Sequence, residues 1–332
     1  MTVLVTGATG LLGSHLTDLL LERGERPRVL VRAGESVTGL ANSRVDIQRG
    51  DMDDPASLKS AVRDVHTVLH CAARTGPWGS RQEYDRTNVQ GLKTLVEVAL
   101  EAGVGRVVHV SSITVHGNDV GGEADETAPL RIERNPYSES KVAGERLLLN
   151  MIRDQHAPVT IVRPGWIYGP GDTASFARFA ALIQQGRMVM IGSGDNHVPL
   201  IYVGDAARGV LLAGEADEAV GRTYLLVNDE AVTQREYLGA IAAALGAPFP
   251  KRRIPYRLAL VMGTAAETAA RLARRRQAPP VMRYGVQLLG GENRFNIDRA
   301  RHELAFSPQV NMDEGIRCSA AWYQSVAARV AA

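Results

Sequence analysis

The chain has 332 residues, 45% of them hydrophobic, which is enough for one large domain or two moderate ones with a real core. Its 38 basic residues against 36 acidic leave a net charge of +2, so nothing global argues for nucleic acid as a partner. Cys71 and Cys318 are too few for a disulfide framework or a cysteine-rich zinc site, and no apolar run approaches the ~20 residues that span a bilayer.

The expectation is a cytoplasmic protein with no metal centre and no cleavable leader, since core-strand residues begin at Thr2. The first predicted element is the strand Val3-Leu4-Val5-Thr6, which runs into Gly7-Ala8-Thr9-Gly10-Leu11-Leu12-Gly13. A helix follows, marked by Leu16, Leu19 and Leu20 and closed at Arg23-Gly24. Gly7 allows the tight turn, Gly10 lets the backbone approach a pyrophosphate, and Gly13 lets the helix pack closely on the strand. A strand before and an apolar helix after are the context a dinucleotide-binding turn requires. His15 has no second metal-type residue at helical spacing and reads as a packing or solvent-facing residue.

A second strand over 29–32 ends on Arg32, where such folds meet the adenosine ribose. An acid there would bind the free hydroxyl of NAD; a guanidinium suits a 2′-phosphate, so NADP(H) is favoured and NAD(H) is the alternative. The competing reading makes Arg32 a solvated loop charge.

Further strands are expected over 45–48, 67–71, 107–110 and 159–162, alternating with helices over about 55–62, 81–103 and 137–155. Short β-branched runs separated by amphipathic helices mean parallel strands with crossover helices, an α/β doubly wound sheet of the Rossmann type. Residues 1–165 are expected to form the dinucleotide-binding domain, with return segments near 198–228. Residues 166–332 are expected to form a smaller, discontinuous α/β substrate-binding cap, because the pattern loosens at Gly169-Pro170-Gly171 and Gly192-Ser193-Gly194.

Tyr137 and Lys141 lie one helical turn apart on one face. A phenol with a pKa near 10 is a poor base at neutral pH, and an ammonium beside it favours the phenolate. Such a pair can take a proton from an alcohol or give one to a forming alkoxide. Ser112, at the carboxyl end of the fifth strand, stands where ligands bind in such sheets and can hold the same substrate oxygen. Further on, Leu258-Ala259-Leu260-Val261-Met262 with Ala265, Ala266, Ala269 and Leu272 forms an apolar helix that would roof a hydrophobic pocket. Lys251, Arg252, Arg253, Arg257, Arg271, Arg274, Arg275 and Arg276 surround it against one acid, Glu267. Two readings stay open there: peripheral contact with an anionic membrane, or a solvated helix with cations at its carboxyl end.

These residues together resemble the extended short-chain dehydrogenases/reductases along nearly the whole chain. Residues 6–13 resemble the cofactor fingerprint of that family, Tyr137-Ser138-Glu139-Ser140-Lys141 its Tyr-x-x-x-Lys signature, and Val110-Ser111-Ser112-Ile113-Thr114-Val115-His116-Gly117 its serine stretch. The resemblance makes Ser112, Tyr137 and Lys141 catalytic, with Ser111 a structural neighbour. It makes Asn88 the support of the active-site helix and of a proton-relay water. Besides the glycines it gives cofactor contacts to Thr9, Leu11, Leu12, Asp51 and Met52, to Cys71, Ala72 and Ala73, and to Pro164 and Ile167. Lys141 would also bond the nicotinamide ribose.

His70-Cys71-Ala72-Ala73, the loop Gly76-Pro77-Trp78-Gly79 and Arg294-Phe295-Asn296-Ile297-Asp298 are similar to the 3β-hydroxysteroid dehydrogenase group and its dihydroflavonol-reductase-like ketone reductases. That likeness implies a ketoreductase taking a bulky, largely apolar ketone or secondary alcohol. Its substrate contacts would be Ser112, Trp166, Trp78 and His116. Trp78 either lies over the substrate or packs its own loop. His116, where many members carry tyrosine, either handles a proton or supplies shape and a hydrogen bond. Sugar-nucleotide epimerases of the family usually clamp a pyrophosphate with arginine where this chain has Val198. The alternatives are a nucleotide-sugar epimerase or dehydratase, or a non-catalytic NADP(H)-binding protein. A homodimer through 81–103 and 137–155 is also implied.

Overall fold

The structure, a computed structural model, describes residues 2–40 and 44–331. The amino-terminal half alternates as the sequence pattern requires. Strand β1 (Val3–Thr6) leads through helix α1 (Leu11–Glu22) to β2 (Arg28–Val31), then β3 (Asp46–Arg49), α2 (Pro55–Ala61) and β4 (Thr67–His70). Helix α3 (Arg81–Tyr84) and helix α4 (Leu92–Glu101) precede β5 (Arg106–Val110), and α5 (Pro136–Gln155) precedes the strand Val159–Pro164.

All neighbouring strands are parallel, in the order Thr223–Leu226, Val159–Pro164, β5, β4, β1, β2, β3. The chain therefore winds outward from β1 to β3 and returns to the other side at β4. The crevice at the carboxyl ends of β1 and β4 is the switch point where such sheets take ligands. Strands β4, β5 and Val159–Pro164 are buried at every residue because helices cover both faces, whereas β3, at the edge, is exposed at both ends.

Leu16 and Leu20 of α1 and Val210 of α7 (Val203–Glu215) belong to the core on one face. Leu58 of α2, Leu95 of α4 and Leu148 of α5 belong to the core on the other. Helix α5 starts where Asn135 Oδ1 accepts the Ser138 N–H at 2.9 Å and Pro136 occupies the first turn, so the turn carrying Tyr137 is fixed by local chemistry.

The helix expected over 81–103 is in three parts. Between α3 and α4, Asp85–Gly91 is π-helical, and this wider turn seats Asn88. Its Oδ1 accepts the Arg74 N–H at 2.7 Å, and its Nδ2 donates to the Arg74 carbonyl at 3.0 Å and to Ser140 Oγ at 2.9 Å. One amide thus ties the loop after β4 to α5.

After Pro164 the strand Trp166–Tyr168 pairs with Leu200–Tyr202, and α7 and Thr223–Leu226 return to the main sheet. Helices α6 (Phe176–Gln184), α8 (Gln234–Ala244), α9 (Tyr256–Leu272) and α10 (Arg283–Gly290) enclose a third core around Phe176, Tyr168 and Tyr237. Among the described residues no helix is long and apolar enough to cross a membrane, and no cluster of metal-binding side chains occurs.

Candidate active site

The turn after β1 is shaped by contacts only glycine permits. Gly7 has φ +71°, and a Cβ there would lie 2.7 Å from the Ala72 backbone nitrogen; one on Gly13 would lie 2.2 Å from the Gly7 carbonyl. Gly10 differs, since its added Cβ would meet only the Gly7 carbonyl, at 3.2 Å. That open side lines a cleft of about 1550 Å³ at the carboxyl ends of the strands. No side chain caps the α1 amino terminus behind it, so backbone N–H groups and the positive end of the helix dipole are left for an anion. The turn fits a dinucleotide pyrophosphate.

Thr9, Leu11, Leu12, Asp51, Met52, Cys71, Ala72 and Ala73 line the same cleft, as do Pro164 and Ile167. Burial pushes the Cys71 thiol up to about 12, so this cysteine is a wall and no nucleophile. Arg32 lines the cleft but is held by Glu35, whose Oε1 accepts from its Nε at 2.9 Å and also from its Nη2. Glu35 Oε2 further accepts from Thr9 Oγ1 at 3.1 Å. Burial would raise the Glu35 carboxyl; the bonds from Arg32 and Thr9 outweigh it and hold the group low. Sequence reading missed Glu35, because only the folded loop brings it back beside the glycine turn.

Tyr137, Lys141 and Ser112 line the same cleft as this turn. Ser112 caps the short turn Ile113–His116, with its Oγ accepting the Thr114 N–H at 3.2 Å and donating to Thr114 Oγ1 at 3.1 Å. Burial raises the Tyr137 pKa, and the Ser112 hydroxyl works against it. The expected help from Lys141 is not among the causes acting on this phenol. Its Nζ donates to the Val110 carbonyl at 2.8 Å, and burial draws the ammonium down to about 8, with Glu145 opposing. The phenol therefore sits above its ordinary pKa in the protein alone. Asn88 lies behind these groups and outside the cleft lining, in the supporting position described above.

Beneath Lys141 runs a buried polar network. Ser111 Oγ donates to Glu145 Oε1, and Arg163 binds the same carboxylate through Nε at 3.0 Å and Nη2 at 2.6 Å. Arg163 Nη1 then reaches His116 Nε2 at 3.0 Å. His116, expected to face the substrate, belongs to this network instead: it is 1% exposed and absent from the cleft wall. Burial, then Arg163, lowers its pKa to about 4, so its neutral ring accepts from the guanidinium.

Trp166 does line the cleft; its Nε1 donates to Ser175 Oγ at 3.0 Å, and Asp172 fixes that serine. Trp78 does not. Its ring lies under the Arg271 guanidinium at 5.7 Å, and its loop is pinned by the Tyr84 hydroxyl, which donates to the Trp78 carbonyl at 3.2 Å. The loop-packing alternative describes its position. Tyr284 was missed: its ring meets Tyr137 edge-on at 6.2 Å and its hydroxyl is 3.3 Å from Thr114 Oγ1. No motif marks it, since α10 lies far downstream in the chain. Leu182, Met188, Ile191, Ile254 and Met282 make the outer cleft apolar.

The model of the NAD dependent epimerase/dehydratase family matches residues 3–226. The chain is similar to a 2-alkyl-3-oxoalkanoate reductase of Stenotrophomonas maltophilia, at 32% identity over 96% of this chain and 98% of that protein. It is also similar to a 3-beta-hydroxysteroid dehydrogenase of Mycolicibacterium neoaurum, at 28% identity over 95% of this chain and 89% of that one. Among solved structures, DesIV, a dTDP-glucose 4,6-dehydratase of Streptomyces venezuelae with NAD and TYD bound, superposes with a TM-score of 0.78 at 26% identity, covering 98% of this chain and 97% of that one.

Proposed function

The chain belongs to the NAD dependent epimerase/dehydratase family, the extended short-chain dehydrogenases/reductases, and from that premise we propose that it is an NADP(H)-dependent ketoreductase acting on a bulky, largely apolar ketone or the matching secondary alcohol. One observation carries the reading: a single cleft is lined by the glycine turn, by Tyr137, Ser112 and Lys141, and by apolar side chains such as Leu182, Met188 and Ile254. The bound nicotinamide supplies hydride exchange with the substrate carbon.

The chain's own residues do the rest. The turn at Gly7, Gly10 and Gly13 and the α1 amino terminus hold the pyrophosphate, Asp51 the adenine side, and Arg32 the ribose 2′-phosphate, while Lys141 bonds the nicotinamide ribose. Ser112 Oγ holds the substrate carbonyl oxygen, and Tyr137 Oη gives that oxygen its proton. The phenol's raised pKa keeps it protonated at neutral pH, which suits an acid in the reducing direction. Trp166 and the aliphatic wall exclude water and select apolar substrates.

An epimerase or dehydratase would use the same tyrosine but turn over without consuming added NADPH. Val198 is 4% exposed, in the core of the cap where such enzymes usually present arginine, which weighs against that alternative. The test is NADPH oxidation over a panel of steroid, polyketide and β-keto ketones. Consumption stoichiometric with alcohol formed is expected; conversion of a sugar nucleotide without consumption overturns the proposal.

A further inference from the structure

The outer face of α9 is apolar. Leu258, Val261, Met262, Ala265, Ala269 and Leu272 recur at helical spacing and all six are exposed, Val261 by 64% and Leu272 by 81%. At 100° per residue they fall within one stripe about 100° wide. The helix buries a different face, through Ala259, Gly263 and Ala270. The roof expected from the sequence is thus only partly a roof, with Ala259 and Met262 lining the cleft and most of the apolar surface turned outward.

Cations frame this stripe. Lys251, Arg252, Arg253 and Arg257 are exposed at its start, and Arg271, Arg274, Arg275 and Arg276 are exposed at its end. The single acid in the segment, Glu267, already accepts the Arg283 backbone N–H at 2.7 Å. The cleft opens along the same edge, where Met262 and residues 278–282 line it and Val281 is 40% exposed.

From this arrangement we propose that the outer face of α9 and residues 271–281 dock the protein on an anionic lipid surface, with the mouth of the cleft against the bilayer. An exposed apolar stripe next to a cluster of cations supplies the two attractions that interfacial helices combine, apolar insertion and attraction to acidic headgroups. A second copy is a poor occupant, because the clustered cations of one copy would meet those of the other. Docking does not depend on the redox reading. If that reading also holds, apolar substrates reach the cleft without crossing water.

The test uses the full chain with no substrate or cofactor present. Co-sedimentation with vesicles of phosphatidylcholine mixed with an equal part of phosphatidylglycerol is expected, with little on phosphatidylcholine alone and release at high salt. Replacing Arg274, Arg275 and Arg276 together by Gln should weaken binding about a hundredfold, at about fivefold per cation. Val261→Asp with Leu272→Asp should abolish it, with the wild-type circular dichroism spectrum and thermal midpoint retained as the measure of folding. In the wild-type protein, hydrogen exchange over 256–281 should slow when phosphatidylglycerol vesicles are added. Failure of the wild-type chain to bind these vesicles overturns the proposal. So does binding untouched by both sets of substitutions, or self-association without vesicles that Val261→Asp abolishes.

Discussion

For Tyr137 to act as an acid its proton must be held until substrate is present, and burial supplies that by keeping the phenol above its ordinary value while Ser112 opposes the shift. Tyr137→Phe keeps the ring edge-on to Tyr284 and removes the proton. Turnover of an accepted ketone should fall by about 10²- to 10⁴-fold with NADPH affinity unchanged, measured by stopped-flow fluorescence titration beside steady-state kcat. The adenosine end carries an internal competition. Arg32 is committed to Glu35, and a 2′-phosphate would have to draw it away. Arg32→Ala should raise the KM for NADPH about tenfold or more with little change for NADH, as expected for losing a hydrogen bond to a charged group. Glu35→Gln should do the reverse, lowering the KM for NADPH. Equal responses of the two cofactors in both variants would remove the NADP(H) assignment. Arg32 could be read from the sequence because strand ends are countable; Glu35 could not, since nothing local brings residue 35 back to Thr9.

At the scale of elements, the strands and the glycine turn were legible because a parallel sheet covered on both faces demands short apolar runs, and those runs stand out between Gly and Pro. Helix α5 was legible for a similar reason, with its start falling one residue earlier at Pro136. The π-helical stretch Asp85–Gly91 was not, because no apolar period distinguishes a turn widened to seat Asn88 from an ordinary one. Nor was the fate of His116. Its partner Arg163 lies on Val159–Pro164 and Glu145 on α5, and only the packed sheet brings the three together. Glu145 is fully buried and Arg163 4% exposed, so each charge depends on the other. Arg163→Leu should therefore destabilise the protein by about 3–5 kcal/mol, by stranding the Glu145 carboxylate. The double replacement Glu145→Leu with Arg163→Leu should cost less than the single one, since no buried carboxylate is left without its guanidinium. Urea midpoints of the three proteins check this, and a double variant less stable than Arg163→Leu would show that the pair is not the source.

Over the whole molecule the least expected chemistry is a set of histidines buried without charge. His70 and His109 stack at 5.3 Å on adjacent strands β4 and β5, and His116 lies just beyond β5; the three are 1%, 3% and 1% exposed. Burial, then Lys141, lowers His70 to about 3 and His109 well below its ordinary value of 6.5, and burial, then Arg163, lowers His116 to about 4. In the unfolded chain all three regain ordinary values, so below pH 6.5 the unfolded state binds protons that the folded state refuses. Stability from these groups is complete above that pH and falls as the pH drops toward the folded values. Each histidine contributes a limiting slope of about 1.4 kcal/mol per pH unit, so going from about pH 6.5 to about pH 5.5 should remove ~3 kcal/mol in total. Carboxyls that bonds hold low, such as Asp46 beside Arg28, stay ionised across this window and add nothing to the slope. Urea unfolding at both pH values, with calorimetry in buffers of different ionisation heat, should show a matching loss and uptake of about two to three protons on unfolding near pH 5.5. A pH-independent midpoint would mean that these rings are charged, or hydrated, in the folded protein. The stacked pair under Lys141 would then have to separate, and the floor beneath the Tyr137 helix would differ from the one described.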